Sequence, residues 1–262
     1  RAEQIAEFLP QKPNSKHRIE AGVLYVIRHN YSNGHTCLPL EKIYAPSSNL
    51  LNENREAIEI AVENLIQSKR VVVEKIGNRD FVFLPEAYNA EKNIARRLNV
   101  LLKFPPENPI DVVSQIDKIE KACNIQYAEL QKKAIITAVN KGVLILTGGP
   151  GTGKTTTLNG IINMFEKDFL KIALCAPTGR AAQRMTEATG RTATTIHRLL
   201  EVEWAENNRP EFRRNLRNPL DYQAIIVDEM SMVDIFLFSS LLDALPFGCR
   251  LIMVGDSDQL PS

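Results

Sequence analysis

Residues 147–157 read Thr-Gly-Gly-Pro-Gly-Thr-Gly-Lys-Thr-Thr-Thr, and this stretch decides the fold. It follows the apolar run VLILT (143–147) and leads into the helical pattern TTLNGIINMFE. Gly148, Gly153, Lys154 and Thr155 satisfy G-x-x-x-x-G-K-[ST] in full, in the strand–loop–helix context that a phosphate-binding loop requires. The glycines let backbone N–H groups close round phosphate oxygens, and the helix start adds partial positive charge. The cradle comprises Gly148, Gly149, Pro150, Gly151, Thr152, Gly153, Lys154, Thr155 and Thr156. Lys154 reaches the terminal phosphates, and Thr155 offers its hydroxyl to Mg²⁺.

Outward from the loop, IALCA (172–176), IIVDE (225–229) and LIMVG (251–255) are short, apolar and separated by helix-length segments. Continuous apolar strands alternating with helices predict an α/β unit with a parallel sheet buried on both faces. IIVDE ends in Asp228 and Glu229, which places two carboxylates at the ligand-binding end of such a sheet. Asp228 suits Mg²⁺, and Glu229 suits orienting or deprotonating an attacking water. LIMVG runs into Asp256-Ser257-Asp258-Gln259, where Gln259 can sense a γ-phosphate through its neutral amide, although Asp-Ser-Asp is equally good turn chemistry. APTGRAA (176–182) and TATTIHRLL (192–200) follow a strand or start a helix, and Arg180 with the threonine hydroxyls suits phosphate contacts. On its chemistry alone, His197 reads as a satisfied, partly buried histidine.

The first 103 residues have a different texture. Helical patterns over 15–30, LPLEKIY (38–44) and 53–69, a short strand at 35–38, and the pair VVVEKI–Gly77-Asn78–RDFVFL predict three helices and a terminal hairpin. That is the order of a winged helix. Its third helix carries Glu53, Glu56, Glu59 and Glu63 against Arg55 and Lys69, which a phosphate backbone would repel. The domain therefore reads as a packing or spacer module. A helix over 89–103 is broken by FPPENP (104–109), so a linker and connecting helix are expected over 104–124 and the phosphate-loop domain over 125–262.

The composition, 44% hydrophobic and 24% charged, excludes wholesale disorder. A net charge of +1 excludes global electrostatic attraction to nucleic acid, so any such contact is local. No apolar run approaches a membrane span, and the opening RAEQIAEF lacks a signal-peptide core. Four scattered cysteines (Cys37, Cys123, Cys175, Cys249) read as free thiols in a reducing, cytoplasmic setting. His29, His35 and Cys37 lack the second ligand pair of a tetrahedral site.

TGGPGTGKTTT, APTGRAA, TIHRLL, IIVDEMSMVD and VGDSDQLPS, in this order, closely resemble the RecD-like DNA helicases of superfamily 1. The preceding residues resemble the stand-alone RecD type through Ser15, Arg18, Ala21, Gly34-His35 and Leu38-Pro39. The resemblance implies a RecA-like P-loop NTPase fold and ATP–Mg²⁺-driven 5′→3′ movement on single-stranded DNA. It also implies duplex junctions as substrates, a place in DNA repair and recombination, and no obligate partner subunits or membrane. It makes Gln131 the adenine reader and puts Lys154, Asp228, Glu229 and Gln259 in catalysis. Pro177, Thr178, Arg180, Thr195 and His197 would line the DNA strand.

Residues 201–218 fall where relatives insert a small β element with a strand-separating pin. Arg209, Arg213, Arg214 and Arg217 against Glu211 give the nine residues 209–217 a local charge of +3, though a solvated loop explains the charge as well. The family also needs a second motor domain, so the chain is expected to be a truncated part of a longer helicase, inactive alone. The rival of another class is an ATP-binding regulatory switch without a DNA role, which has no need of a basic insertion. A small-molecule kinase would need a basic lid downstream of the loop, and none is evident.

Overall fold

The computed structural model describes residues 15–106, 112–149, 151–168, 170–204 and 210–256. Pro150, Arg209 and Gln259 lie outside the described residues. The chain divides into two compact units, Arg1–Glu91 and Lys92–Ser262.

In the first unit the order is α1 (Ser15–Ser32), β1 (Cys37–Pro39), α2 (Glu41–Leu51), α3 (Arg55–Gln67), β2 (Val72–Ile76) and β3 (Arg79–Phe83). The three strands form an antiparallel sheet in the order β1-β3-β2. The β2–β3 hairpin turns at Gly77, whose φ of +61° is the left-handed conformation expected there. Asn54 starts α3 by accepting the Ala57 N–H at 2.9 Å. Val23, Ile27, Ile43, Ile58, Val62, Leu65 and Val82 make one core, so each helix contributes one apolar face. This is the winged-helix order. The outward face of α3 stays acidic, with Arg55 bonded to Glu59 and Glu41.

α4 (Pro85–Lys103) begins in the first unit and ends in the second. The division between the units therefore falls inside a helix and not at FPPENP. The second unit continues with α5 (Val112–Cys123), α6 (Glu129–Asn140), β4 (Val143–Thr147), α7 (Lys154–Lys167) and β5 (Ile172–Ala176). Then come α8 (Gly179–Thr189), β6 (Ala193–Thr195), α9 (Ile196–Leu199), β7 (Val202–Trp204) and β8 (Pro210–Phe212). β9 (Ala224–Val227), a 3₁₀ turn at Met230–Met232, α10 (Ile235–Ala244) and β10 (Arg250–Gly255) complete it.

Five strands form a parallel sheet in the order β4-β10-β9-β5-β6. Both faces are covered, as continuous apolar strands require. Ile226, Ile252 and Val254 pack with Ile135, Ile161, Ile162 and Phe165 of α6 and α7 on one face. Ile225, Val227, Leu251 and Met253 pack with Leu241 and Leu242 of α10 and Leu101 of α4 on the other. The period-2 alternation thus splits each apolar run between two cores. β6 is a short edge strand where the sequence pattern suggests only a helix start. β7 and β8 pair antiparallel, with Val202 opposite Phe212 and Trp204 opposite Pro210, so the 201–218 segment carries a β-ribbon.

Candidate nucleotide and nucleic-acid site

Register decides which motifs meet. Thr147 pairs with Gly255, Val227 with Met253 and Cys175, and Ala176 with Thr195. The carboxyl ends of all five strands therefore lie along one edge. The phosphate loop, Asp256, Asp228-Glu229, Pro177-Thr178 and Thr195 emerge there in sheet order. At ~4.8 Å per strand, the phosphate loop on β4 is roughly 19 Å from Thr195 on β6. One end of the edge holds nucleotide chemistry, and the other holds the candidate nucleic-acid contacts.

The loop is shaped by its glycines. Gly151 and Gly153 have φ of +77° and +81°, which L side chains rarely adopt. Thr152 Oγ1 donates to Gly149 O at 2.9 Å. Thr157, buried in the first turn of α7, donates both N–H and Oγ1 to Gly153 O at 3.0 Å. Sequence reasoning missed this role of Thr157, although a Thr four residues into a helix has the i−4 carbonyl within reach. Lys154 Nζ donates to the carbonyls of Gly148 and Gly149, the latter at 3.0 Å. Its ammonium thus sits over the cradle. Thr155 and Thr156 stand exposed at the start of α7.

Asp228 is partly buried two strands from the loop. Its N–H donates to Cys175 O at 2.9 Å, and its Oδ1 accepts the Glu229 N–H at 2.9 Å. Burial raises its pKa above the ordinary aspartate value, while the Glu229 N–H and the charge of Lys154 oppose the rise. Glu229 has φ of +52°, a conformation uncommon outside glycine and found disproportionately at functional sites. An oxygen donor set of hydroxyl and carboxylate, Thr155 and Asp228, fits a hard divalent cation such as Mg²⁺.

Gln131 stands in the first turn of α6. Its Oε1 accepts the Ala128 N–H at 2.9 Å, and its Nε2 points at Gly153 O at 3.4 Å. The structure thus brings Gln131 to the phosphate loop.

At the other end of the edge, several residues expected to contact DNA make structural contacts within the fold. Thr178 caps α8 by accepting the Ala181 N–H at 3.2 Å, and Thr195 caps α9 by accepting the Arg198 N–H at 3.2 Å. His197 packs against Phe212 of β8, ring centroids 5.9 Å apart. Arg180 is exposed on α8 near Pro177, with no bonded partner among the described residues. Arg213 and Arg214 are tied to Glu203 and Glu201, so the β-ribbon is less cationic than its arginine content suggests. Arg217 is exposed and has no ion-pair partner among the described residues. Trp204 is 66% exposed on β7.

The sequence matches the AAA domain family over residues 131–262, half of the chain. The chain belongs to that AAA domain family, as a P-loop NTPase of the RecD-like helicase kind. It is 41% identical over 181 residues to the ATP-dependent RecD2 DNA helicase of Deinococcus radiodurans, a match covering 69% of this chain and 24% of the relative. Similarity to the RecBCD enzyme subunit RecD of Mycolicibacterium smegmatis is 40% over 157 residues, covering 51% of this chain and 28% of the subunit. A RecBCD enzyme subunit RecD of Buchnera aphidicola is 29% identical over 290 residues, covering 98% of this chain and 46% of the subunit. The chain therefore spans between about a quarter and a half of these relatives' lengths.

Proposed function

We propose that this chain is the first motor part of an ATP-dependent DNA helicase that moves 5′→3′ on single-stranded DNA. The observation that carries the reading is the shared edge: Lys154 at one end, Asp228 on the middle strand, and Pro177, Thr178, Arg180 and Thr195 beyond it. A strand lying across β5 and β6 would be read through phosphates, by exposed Arg180 and by N–H groups at the starts of α8 and α9. ATP would sit on the phosphate loop with Lys154 at its terminal phosphates. Mg²⁺, held by Thr155 and Asp228, would neutralise charge developing on those phosphates. Glu229, turned by its left-handed backbone, would accept the proton of the attacking water, and Gln259 would sense the γ-phosphate.

Duplex separation is assigned to the β7–β8 ribbon, and DNA repair or recombination to the whole protein. A cytoplasmic setting is assigned; the buried thiols Cys175 and Cys249, their pKa values pushed by burial up to about 12, are inert. No obligate partner subunit is assigned, in line with the RecD2 type.

DNA-stimulated ATPase is the deciding measurement, made on a protein of the relatives' length. Stimulation by single-stranded DNA that is lost in Arg180→Ala supports the reading. ATP hydrolysis indifferent to DNA would favour a nucleotide-driven regulatory switch instead.

A further inference from the structure

Gln131 is held from both sides. The Ala128 N–H is a donor, so it can meet only the carbonyl oxygen of the Gln131 amide, at 2.9 Å. That assignment turns Nε2 towards Gly153 O, an acceptor, at 3.4 Å. The helix start offers no alternative, because Ala128 has no side-chain acceptor to cap α6. The amide also fills space that only glycine leaves. A Cβ at residue 153 would stand 2.5 Å from Gln131 Nε2. Gly153 thus supplies the +81° backbone turn, with the Gln131 amide lying directly against it. The two helices are locked together just beyond the contact. A Cβ on Gly160 of α7 would meet Ile135 Cδ1 and Tyr127 Oη at 2.8 Å. The Gln131 backbone is thereby held at a fixed distance from the loop.

We propose that Gln131 is a positioning residue for the phosphate loop. It ties the first turn of α6 to the carbonyl of Gly153, which also accepts the Thr157 N–H and Oγ1, and so joins Thr157 in holding the loop open for phosphate whether or not a base is present. The proposal rests on the ATP-site reading and deepens it. Contact with adenine would use the amide's second N–H and second lone pair, so the two roles are compatible and separable.

A ligand with phosphates and no base separates them. Binding of Mg²⁺–tripolyphosphate and of Mg²⁺–ATP is measured by titration calorimetry on the full chain. Ala128→Ser, which supplies a cap to α6, is the reference, and Ala128→Ser/Gln131→Met is the variant. Methionine keeps the volume and loses both hydrogen bonds, while the serine hydroxyl introduced at position 128 keeps the helix start. Loss of one hydrogen bond at the loop should weaken tripolyphosphate by about 3–10-fold, and ATP by at least as much. Matching thermal unfolding of the two proteins confirms that the fold is retained. Weakened ATP with unchanged tripolyphosphate would overturn the proposal and leave Gln131 as a base reader alone. A reference protein that bound neither ligand would instead overturn the ATP-site reading itself.

Discussion

Lys154 illustrates how a single charge organises the loop. Its ammonium is bonded to the carbonyls of Gly148 and Gly149, acceptors that bound phosphate oxygens would replace. Charge-assisted bonds to phosphate are roughly twice as strong as neutral ones. Lys154→Ala should therefore lose ATP–Mg²⁺ binding by more than ~10-fold, and calorimetry of the two proteins checks it. Asp228 and Glu229 are adjacent but differ in setting, because Asp228 accepts the Glu229 N–H and faces the charge of Lys154. Asp228→Ala should weaken only the Mg²⁺-dependent part of binding. Glu229→Gln, in a protein of the relatives' length, should keep ATP affinity and lose ~10²–10⁴ in turnover, the usual contribution of a general base. Normal turnover in that variant would place the base elsewhere.

Elements act through their packing. α6 and α7 approach so closely at Gly160 that a Cβ would stand 2.8 Å from Ile135 and Tyr127. In an exposed helix, Gly→Ala gains about 1 kcal/mol. Here overpacking costs about 1–3 kcal/mol, so Gly160→Ala should destabilise by roughly 1 kcal/mol net, read as a lower urea midpoint with an unchanged m-value. The β7–β8 ribbon shows a different economy. Arg213 and Arg214 face Glu203 and Glu201, whereas Arg217 has no such partner among the described residues. Exposed pairs contribute little to stability, but they occupy the charge that a phosphate would use. Arg217→Ala should therefore weaken binding of a labelled oligonucleotide more than Arg213→Ala, and lower the salt slope by about one. The reverse order, read by fluorescence anisotropy, would remove Arg217 from the DNA path.

Across the molecule, cations are distributed unevenly. Among the described residues, the loops after β4, β9 and β10 carry no arginine, and the cation at the nucleotide end is Lys154. Arg180 and Arg198 stand at the β5–β6 end. An arginine completing the phosphate clamp contributes ~10³–10⁵ in rate. Under the two-motor reading, this chain alone should turn ATP over at least ~10³-fold more slowly than a protein of the relatives' length. Steady-state assays at saturating ATP and DNA decide it, and equal turnover numbers would show that no second half is needed. In the first unit, the acidic α3 presents Glu56, Glu59 and Glu63 where a DNA-binding winged helix would be basic.

The phosphate loop, the carboxylate pair and the parallel α/β class were legible in the linear order. Each rests on short-range chemistry: glycines at fixed spacing, acids directly after an apolar run, and β-rich segments alternating with helices. The winged-helix order was legible for the same reason, through helical spacing and a Gly-Asn turn. Strand order was not, because β10 inserts between β4 and β9 and no local pattern encodes which buried strands become neighbours. The short edge strand β6 looked like a helix start, since Thr195 both ends the strand and caps α9. Neither the neutralised arginines of the ribbon nor the bond from Gln131 to Gly153, 22 residues apart, could be read in advance. Such contacts depend on which side chains the packed sheet and helices bring within hydrogen-bond reach, and that distance exists only once the chain has folded.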